Sequence, residues 1–273
     1  MQIRYTLLAF PLLASTAFCQ ETIRTNGAQG TFSASMQFAG PGPYQAKPVT
    51  GAPYSAEETV TRVQTLADGT HITNENSSRK LYRDSAGRTR VERAAMAGLL
   101  ARRPKSDVPM IVEITDPVAG IKYTLDPSNK IAHKQTLVSP SNLPRLARHT
   151  TPPTAVRVPA DDAQDQVKRT VEKLDGQTIE GIDVQGMRVT SVYPVDYDGN
   201  DRPITRVYES WFSPELQLVL LDTDNDPRSG ETTRKLTNIS RSEPDPSLFA
   251  PPGDYTVVEE KGDFTITWGS QEK

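Results

Sequence analysis

Cysteine occurs once in the 273 residues, at Cys19, and histidine three times, at His71, His133 and His149. A single thiol cannot make an intrachain disulfide, so apolar burial has to hold the fold together. None of the three histidines has a second ligand at metal-binding spacing. The chain also lacks a G-x-S-x-G nucleophile elbow and a glycine-rich phosphate loop. No cofactor, no metal and no catalytic residue are therefore expected, and the chain reads as non-enzymatic. Basic residues are scattered with few aromatics among them, which argues against nucleic acid as a partner. Beyond the extreme N-terminus no apolar run approaches the about 20 residues a spanning helix needs, so no transmembrane segment is expected in the mature chain.

The opening residues MQIRYTLLAFPLLASTAFCQE carry one early cation, Arg4, then an apolar run from Tyr5 to Leu13, then small residues. That is the layout of a cleaved secretory signal, assigned here to residues 1–19, and it implies a periplasmic or secreted protein. A lipid anchor at Cys19 is disfavoured because Phe18, not a small residue, precedes it. Residues 20–56 are rich in Gly, Pro, Ser and Thr without a period and read as a flexible lead-in. The net charge of -3 hides an asymmetry. Residues 57–135 hold 13 Lys/Arg against 10 Asp/Glu, whereas residues 160–273 hold 12 against 23.

From Glu57 onward, short alternating segments are punctuated by turn residues. Val60–Leu66 meets Asp68-Gly69, a strong hairpin signal because both residues tolerate positive φ. Lys80–Arg83, Arg88–Glu92, Met110–Thr115, Ile121–Leu125 and Lys130–Lys134 continue the meander. Residues 93–109 read as helix-prone or loop, and residues 136–165 as a Pro-rich loop inside the same domain. Residues 166–174 fit either a short helix or a strand, with strand favoured, running into a turn at Asp175-Gly176. Strands then follow over 178–184, 187–195, 204–213, 216–222 and 231–239. About a dozen strands and few short helices make the fold mainly β: one large curved antiparallel sheet over 57–258, followed by a tail, 259–273.

Two acidic stretches, 222–231 and 196–201, read as polar hairpin turns. The first begins like a calcium loop, with Asp222, Asp224 and Asp226. It fails where Pro227 replaces the required glycine and Thr233 the bidentate glutamate. The hairpin RVYESWFSPELQLVL, residues 206–220, is apolar on both faces: Thr205, Val207, Glu209 and Trp211 alternate with Ile204, Arg206, Tyr208 and Phe212. Leu216, Leu218 and Leu220 share one side, with Val219 and Leu221 opposite. Such a hairpin is either covered twice or lines a cavity.

The segment Thr237-Asn-Ile-Ser, followed by Pro244-Asp-Pro-Ser-Leu-Phe249 and the Pro251-Pro252 turn, resembles the ending of LolA-type bacterial carriers, and the Trp211 hairpin resembles their late strands. The match covers roughly residues 178–256. The wider run from Asp175 to Tyr255 is similar to a group of uncharacterised secreted proteins of acidobacterial type. The LolA-like resemblance implies an antiparallel half-barrel with a lid of short helices and loops. It also implies an apolar cavity that holds lipid or lipoprotein acyl chains in the cell envelope. The cavity candidates are Val189, Tyr193, Tyr208, Trp211, Phe212, Leu218 and Leu220. The alternative expectation is a structural or protein-interaction module of the envelope, whose core its own side chains fill.

Overall fold

The structure is a computed structural model that describes residues 21–25, 32–40, 48–95, 108–137 and 167–269. Its strands are β1 (Glu21–Thr25), β2 (Phe32–Phe38), β3 (Tyr54–Thr65), β4 (His71–Arg83), β5 (Thr89–Ala94), β6 (Met110–Asp116), β7 (Ile121–Asp126) and β8 (Ile131–Thr136). They continue as β9 (Lys168–Ile179), β10 (Ile182–Tyr193), β11 (Ile204–Ser213), β12 (Leu218–Asp226), β13 (Gly230–Ser240), β14 (Thr256–Glu259) and β15 (Phe264–Gly269). Among the described residues the only helical turn is a 3-10 turn, Pro246–Phe249, capped by the Asp245 carboxylate accepting from Ser247 N. The expected signal segment and most of the Pro-rich loop lie outside the described residues.

Twelve strands form one open, curved sheet in the order β14-β8-β7-β6-β5-β4-β3-β13-β12-β11-β10-β9. Every pairing in it is antiparallel except β14 on β8. The turn chemistry explains the meander. Leu66 N donates to Thr70 O around Asp68-Gly69, and the Asp116 carboxylate accepts from Val118 N and Ala119 N. The strand reading of 166–174 holds over Lys168–Leu174, which lies within β9.

Three expectations are corrected. The two-residue turn falls at Glu180-Gly181, both at positive φ (51° and 75°), rather than at Asp175-Gly176. Asp175 and Gly176 instead face Gln185 across an irregularity between the Val184 and Gly186 pairings, a bulge. Local turn chemistry favours Asp175-Gly176, because aspartate tolerates positive φ better than glutamate, yet the chain turns at the dipeptide that buries Ile179 and Ile182 against Leu216, Leu220 and Leu236. Second, the described parts of the lead-in and the tail form strands: β1, β2 and β15 make a separate three-stranded sheet. It docks on the main sheet through Met36, Phe38, Ile266 and Trp268, packed with Ile111 and Ala95. Third, Asp222, Asp224 and Asp226 lie within β12, and only residues 227–229 separate it from β13.

The opposite side of the same strands is covered by the 3-10 turn, where Phe249 packs on Val112, Ile114, Leu125 and Ala132. Ile111 and Val112 therefore point into different clusters, as neighbours on a strand must. Strands β5–β8, four of the twelve, are the doubly covered part of the sheet. By contrast β9, at the edge, is exposed along almost its whole length. Its Lys168, Arg169, Glu172, Lys173 and Asp175 are the charges that keep an open edge from pairing indiscriminately.

Candidate functional site

Register places three rows of side chains on one face of β9–β13, since directly paired residues share a face. The first row is Thr190, Val207, Asn225 and Glu231; the second is Glu172, Arg188, Glu209 and Thr223; the third is Leu174, Gly186, Trp211 and Leu221. The face thus passes from polar to charged to apolar over about 14 Å along the strands. An open cavity of about 400 Å³ lies over the first two rows, lined by Arg188, Val207, Glu209, Thr223, Asn225 and Glu231. A neighbouring cavity of about 390 Å³ at the hairpin ends shares Asn225 and Glu231.

Arg188 is committed within this face. Its Nε donates to Glu209 Oε1 at 2.5 Å and its Nη1 to Glu172 Oε2 at 3.1 Å. The Glu209 carboxylate, then that of Glu172, raises the pKa of the guanidinium. Glu231, Asn225 and Thr223 have no side-chain partner among the described residues. Two strands of backbone fix them, yet their polar atoms face the cavity unpaired.

The third row depends on a missing side chain. A Cβ at Gly186 would lie 2.8 Å from Leu174 Cβ and 3.1 Å from Trp211 Nε1. Only glycine lets Leu174 and the indole close over the strand between them. Gly186→Ala is expected to destabilise by about 1–3 kcal/mol and to shift Trp211 emission, as read by urea unfolding followed by fluorescence. Unchanged stability and emission would mean that the indole does not lie over this glycine.

The seven residues singled out in the sequence do not share one surface. Trp211 and Leu218 lie on the grooved face, Trp211 beside the cavity and Leu218, paired with Ser213, one row beyond it. Leu220 is 1% exposed in a core cluster with Ile182, Leu216 and Leu236, and Leu218 packs against the same cluster. The β11–β12 pairing is irregular between Trp211 and Phe212, which leaves Leu220 as the extra residue. Leu221 consequently faces the same way as Trp211, not opposite to Leu218 as strict alternation predicts. Val189 and Tyr208 are direct partners on the other face, which half-buried Phe212, paired with Gln185, shares.

Tyr193 belongs to that other face too, amid charge. Its ring is 5.1 Å from Tyr197, with the Arg228 guanidinium 4.4 Å away. Around it Arg206 grips Asp224, and Arg228 joins Asp226 to Asp198. Farther along, Asp222 takes Arg234. Burial raises the Asp222 pKa, with Arg234 opposing it. Each carboxylate of the calcium-like stretch thus has its own arginine. No group of three metal-capable side chains occurs among the described residues. His71 pairs with Thr65, His133 pairs with Glu260 at 2.8 Å and stacks on Phe264, and His149 lies outside the described residues.

Apolar alternation, the sequence signal of a buried face, does not mark the polar members of the groove. The spacing Val207, Glu209, Trp211 was legible, but Asn225 and Glu231 join it only through hairpin register.

No protein-family model matches the chain, and no curated protein is detectably similar to it in sequence. Among solved structures, it is similar to an uncharacterized conserved protein from Thermus thermophilus, with 11% identity over 77% of this chain and 91% of that one and a TM-score of 0.36. It is similar to the Pseudomonas aeruginosa MucA/MucB complex, with 10% identity, 76% of this chain and 58% of that one, TM-score 0.36. A LolA superfamily protein from Nitrosomonas europaea gives 10% identity, 74% and 92% coverage and a TM-score of 0.28. The family that the C-terminal segment resembles is thus among them. Likeness at this level transfers no ligand and no residue role to this chain.

Proposed function

We propose that this is a non-enzymatic protein of the bacterial cell envelope that binds a lipid or lipoprotein acyl group on the grooved face of β9–β13. The observation that carries the reading is the gradient on that face: a half-buried apolar row, Leu174, Trp211 and Leu221, beside a row of fixed charges. An amphipathic ligand has the matching pattern, and each methylene it removes from water contributes about 0.8 kcal/mol. The signal-like layout of residues 1–19 supports the location.

Bromine-labelled fatty acids test it. The two tryptophans are Trp211 and Trp268, and the second is 4% exposed. Quenching of the wild-type protein, absent in Trp211→Phe and in Leu221→Glu, is the expected result. A folded wild-type protein whose emission does not respond would overturn the reading. A second reading, an envelope interaction module with a self-filled core, is favoured by one observation: Leu218 and Leu220 pack inward with Leu216 rather than lining space. It predicts no lipid in organic extracts of protein purified from a bacterial periplasm.

A further inference from the structure

We infer that the groove over β10–β13 is a recognition site for a primary ammonium group on a short aliphatic carbon, such as the head group of an amine-bearing lipid. The inference rests on the amphipathic-ligand reading for the acyl part only; the ammonium site stands on the groove.

Six residues line the groove as two rows of three, Val207, Asn225 and Glu231 beside Arg188, Glu209 and Thr223. Strand spacing makes this roughly 10 Å across the strands and about 7 Å along them, room for a head group and little more. The charge balance decides the sign of the ligand. Arg188, the one cation of the lining, is held by Glu209 and by Glu172. An anion would find no free guanidinium donor there and would face the Glu231 carboxylate. Every unpaired group of the groove can accept: the Glu231 carboxylate, which only accepts, and the Asn225 amide and Thr223 hydroxyl, which can also donate.

An ammonium carries three N–H donors and no acceptor, the complement of that set. Val207, next to Asn225 in the first row, supplies an apolar wall for the carbon that bears the nitrogen. Hydrogen bonds to a charged partner are the stronger kind, and here the acceptors are fixed on paired strands rather than on a loop. The groove also opens, one row away, onto Leu174, Trp211 and Leu221. A ligand held by its nitrogen between Glu231 and Thr223 has its chain directed at the row where an acyl group would lie.

The same chemistry could arrive on a free amine or on a lipid, and two arms separate them. In the first, the isotope-labelled protein is titrated by NMR with ethanolamine, and with choline at equal ionic strength. Ethanolamine is expected to shift amides around Val207, Asn225 and Glu231 saturably. Choline, with no N–H to donate, should bind about tenfold or more weakly, and Glu231→Gln should weaken ethanolamine by about tenfold. Equal responses to both cations, or an unchanged response in Glu231→Gln, would overturn the site.

In the second arm, vesicles of brominated phosphatidylethanolamine and of brominated phosphatidylglycerol are compared by Trp211 quenching. Preference for the ethanolamine lipid, lost in Glu231→Gln, is the expected result. Equal quenching by both lipids with no ethanolamine response would sink the ammonium site and leave acyl binding standing. A Glu231-dependent ethanolamine response with no quenching by either lipid would uphold the ammonium site for a free amine and end the acyl reading.

Discussion

Trp268→Ala is expected to lower the unfolding free energy by about 3–5 kcal/mol, the range for truncating a large buried aromatic. Trp268 sits on β15, 4% exposed, among Met36, Phe264, Ile266 and Ile111. Its Nε1 also donates to Asp126 Oδ1 at 3.2 Å, and Asp126 is only 1% exposed. The same carboxylate accepts from Ser128 N and from the Asn129 side chain, which closes the β7–β8 turn. The indole therefore fills the space between the two sheets and completes a buried polar group on the larger one. Alanine removes both contributions. Trp268→Phe restores most of the packing but not the hydrogen bond, and should cost about 1–2 kcal/mol. Urea titration followed by circular dichroism reads both. A loss under about 1 kcal/mol for the alanine variant would mean that the small sheet is not docked on the large one.

Arg83→Ala should cost a comparable amount, about 2–5 kcal/mol, for a different reason, two buried carbonyls left without a donor at about 1–3 kcal/mol each. The guanidinium is buried, with the residue 6% exposed, and among the described residues no carboxylate meets it. Nε donates to Ala52 O at 2.9 Å, Nη2 donates to Leu216 O, and the plane lies 4.8 Å from the Tyr54 ring centroid. Burial lowers its pKa, with Tyr54 acting the other way. One side chain thus satisfies two backbone carbonyls from segments far apart in sequence: the approach to β3 and the β11–β12 turn. That turn is itself tight, with Ser213 Oγ accepting from Leu216 N at 3.1 Å. Truncation leaves both carbonyls buried without a donor, which is the costly half of losing a hydrogen bond. Arg83→Lys keeps the charge but cannot reach both carbonyls with a planar fork, so about 2 kcal/mol is expected. If lysine, which keeps the aliphatic stem, proved as harmful as alanine in thermal unfolding, the forked hydrogen bonds and not packing would be the larger part.

Leu216 links this anchor to the grooved face. It packs with Leu220, Ile182 and Val184, and Trp211 and Leu218 lean on the same cluster. A variant that loosens Arg83 should therefore also disturb Trp211, whereas Trp268→Ala should leave Trp211 unaffected. Comparing the emission of the two variants in native buffer tests that separation.

Local chemistry by itself determined the strands and most of their turns. Asp68-Gly69, Asp116–Gly120 and Asp126–Asn129 reverse the chain because aspartate bonds its own backbone and glycine accepts positive φ, and neither effect needs a distant partner. Strand character over 204–213 was likewise legible, since alternation with period two is a property of the segment. Tertiary structure decided everything that depends on which segments meet. Glu180-Gly181 prevailed over Asp175-Gly176 because only that register buries Ile179 with Ile182. Phe32–Phe38 and Phe264–Gly269 look like loose ends until each covers the other's backbone and both cover Ile111. The groove is the extreme case: Arg188, Glu209, Asn225 and Glu231 are unremarkable surface residues in the sequence. They form one surface because four strands pair in a register set by burial on their apolar positions, and hydrogen-bonded register carries the polar ones along.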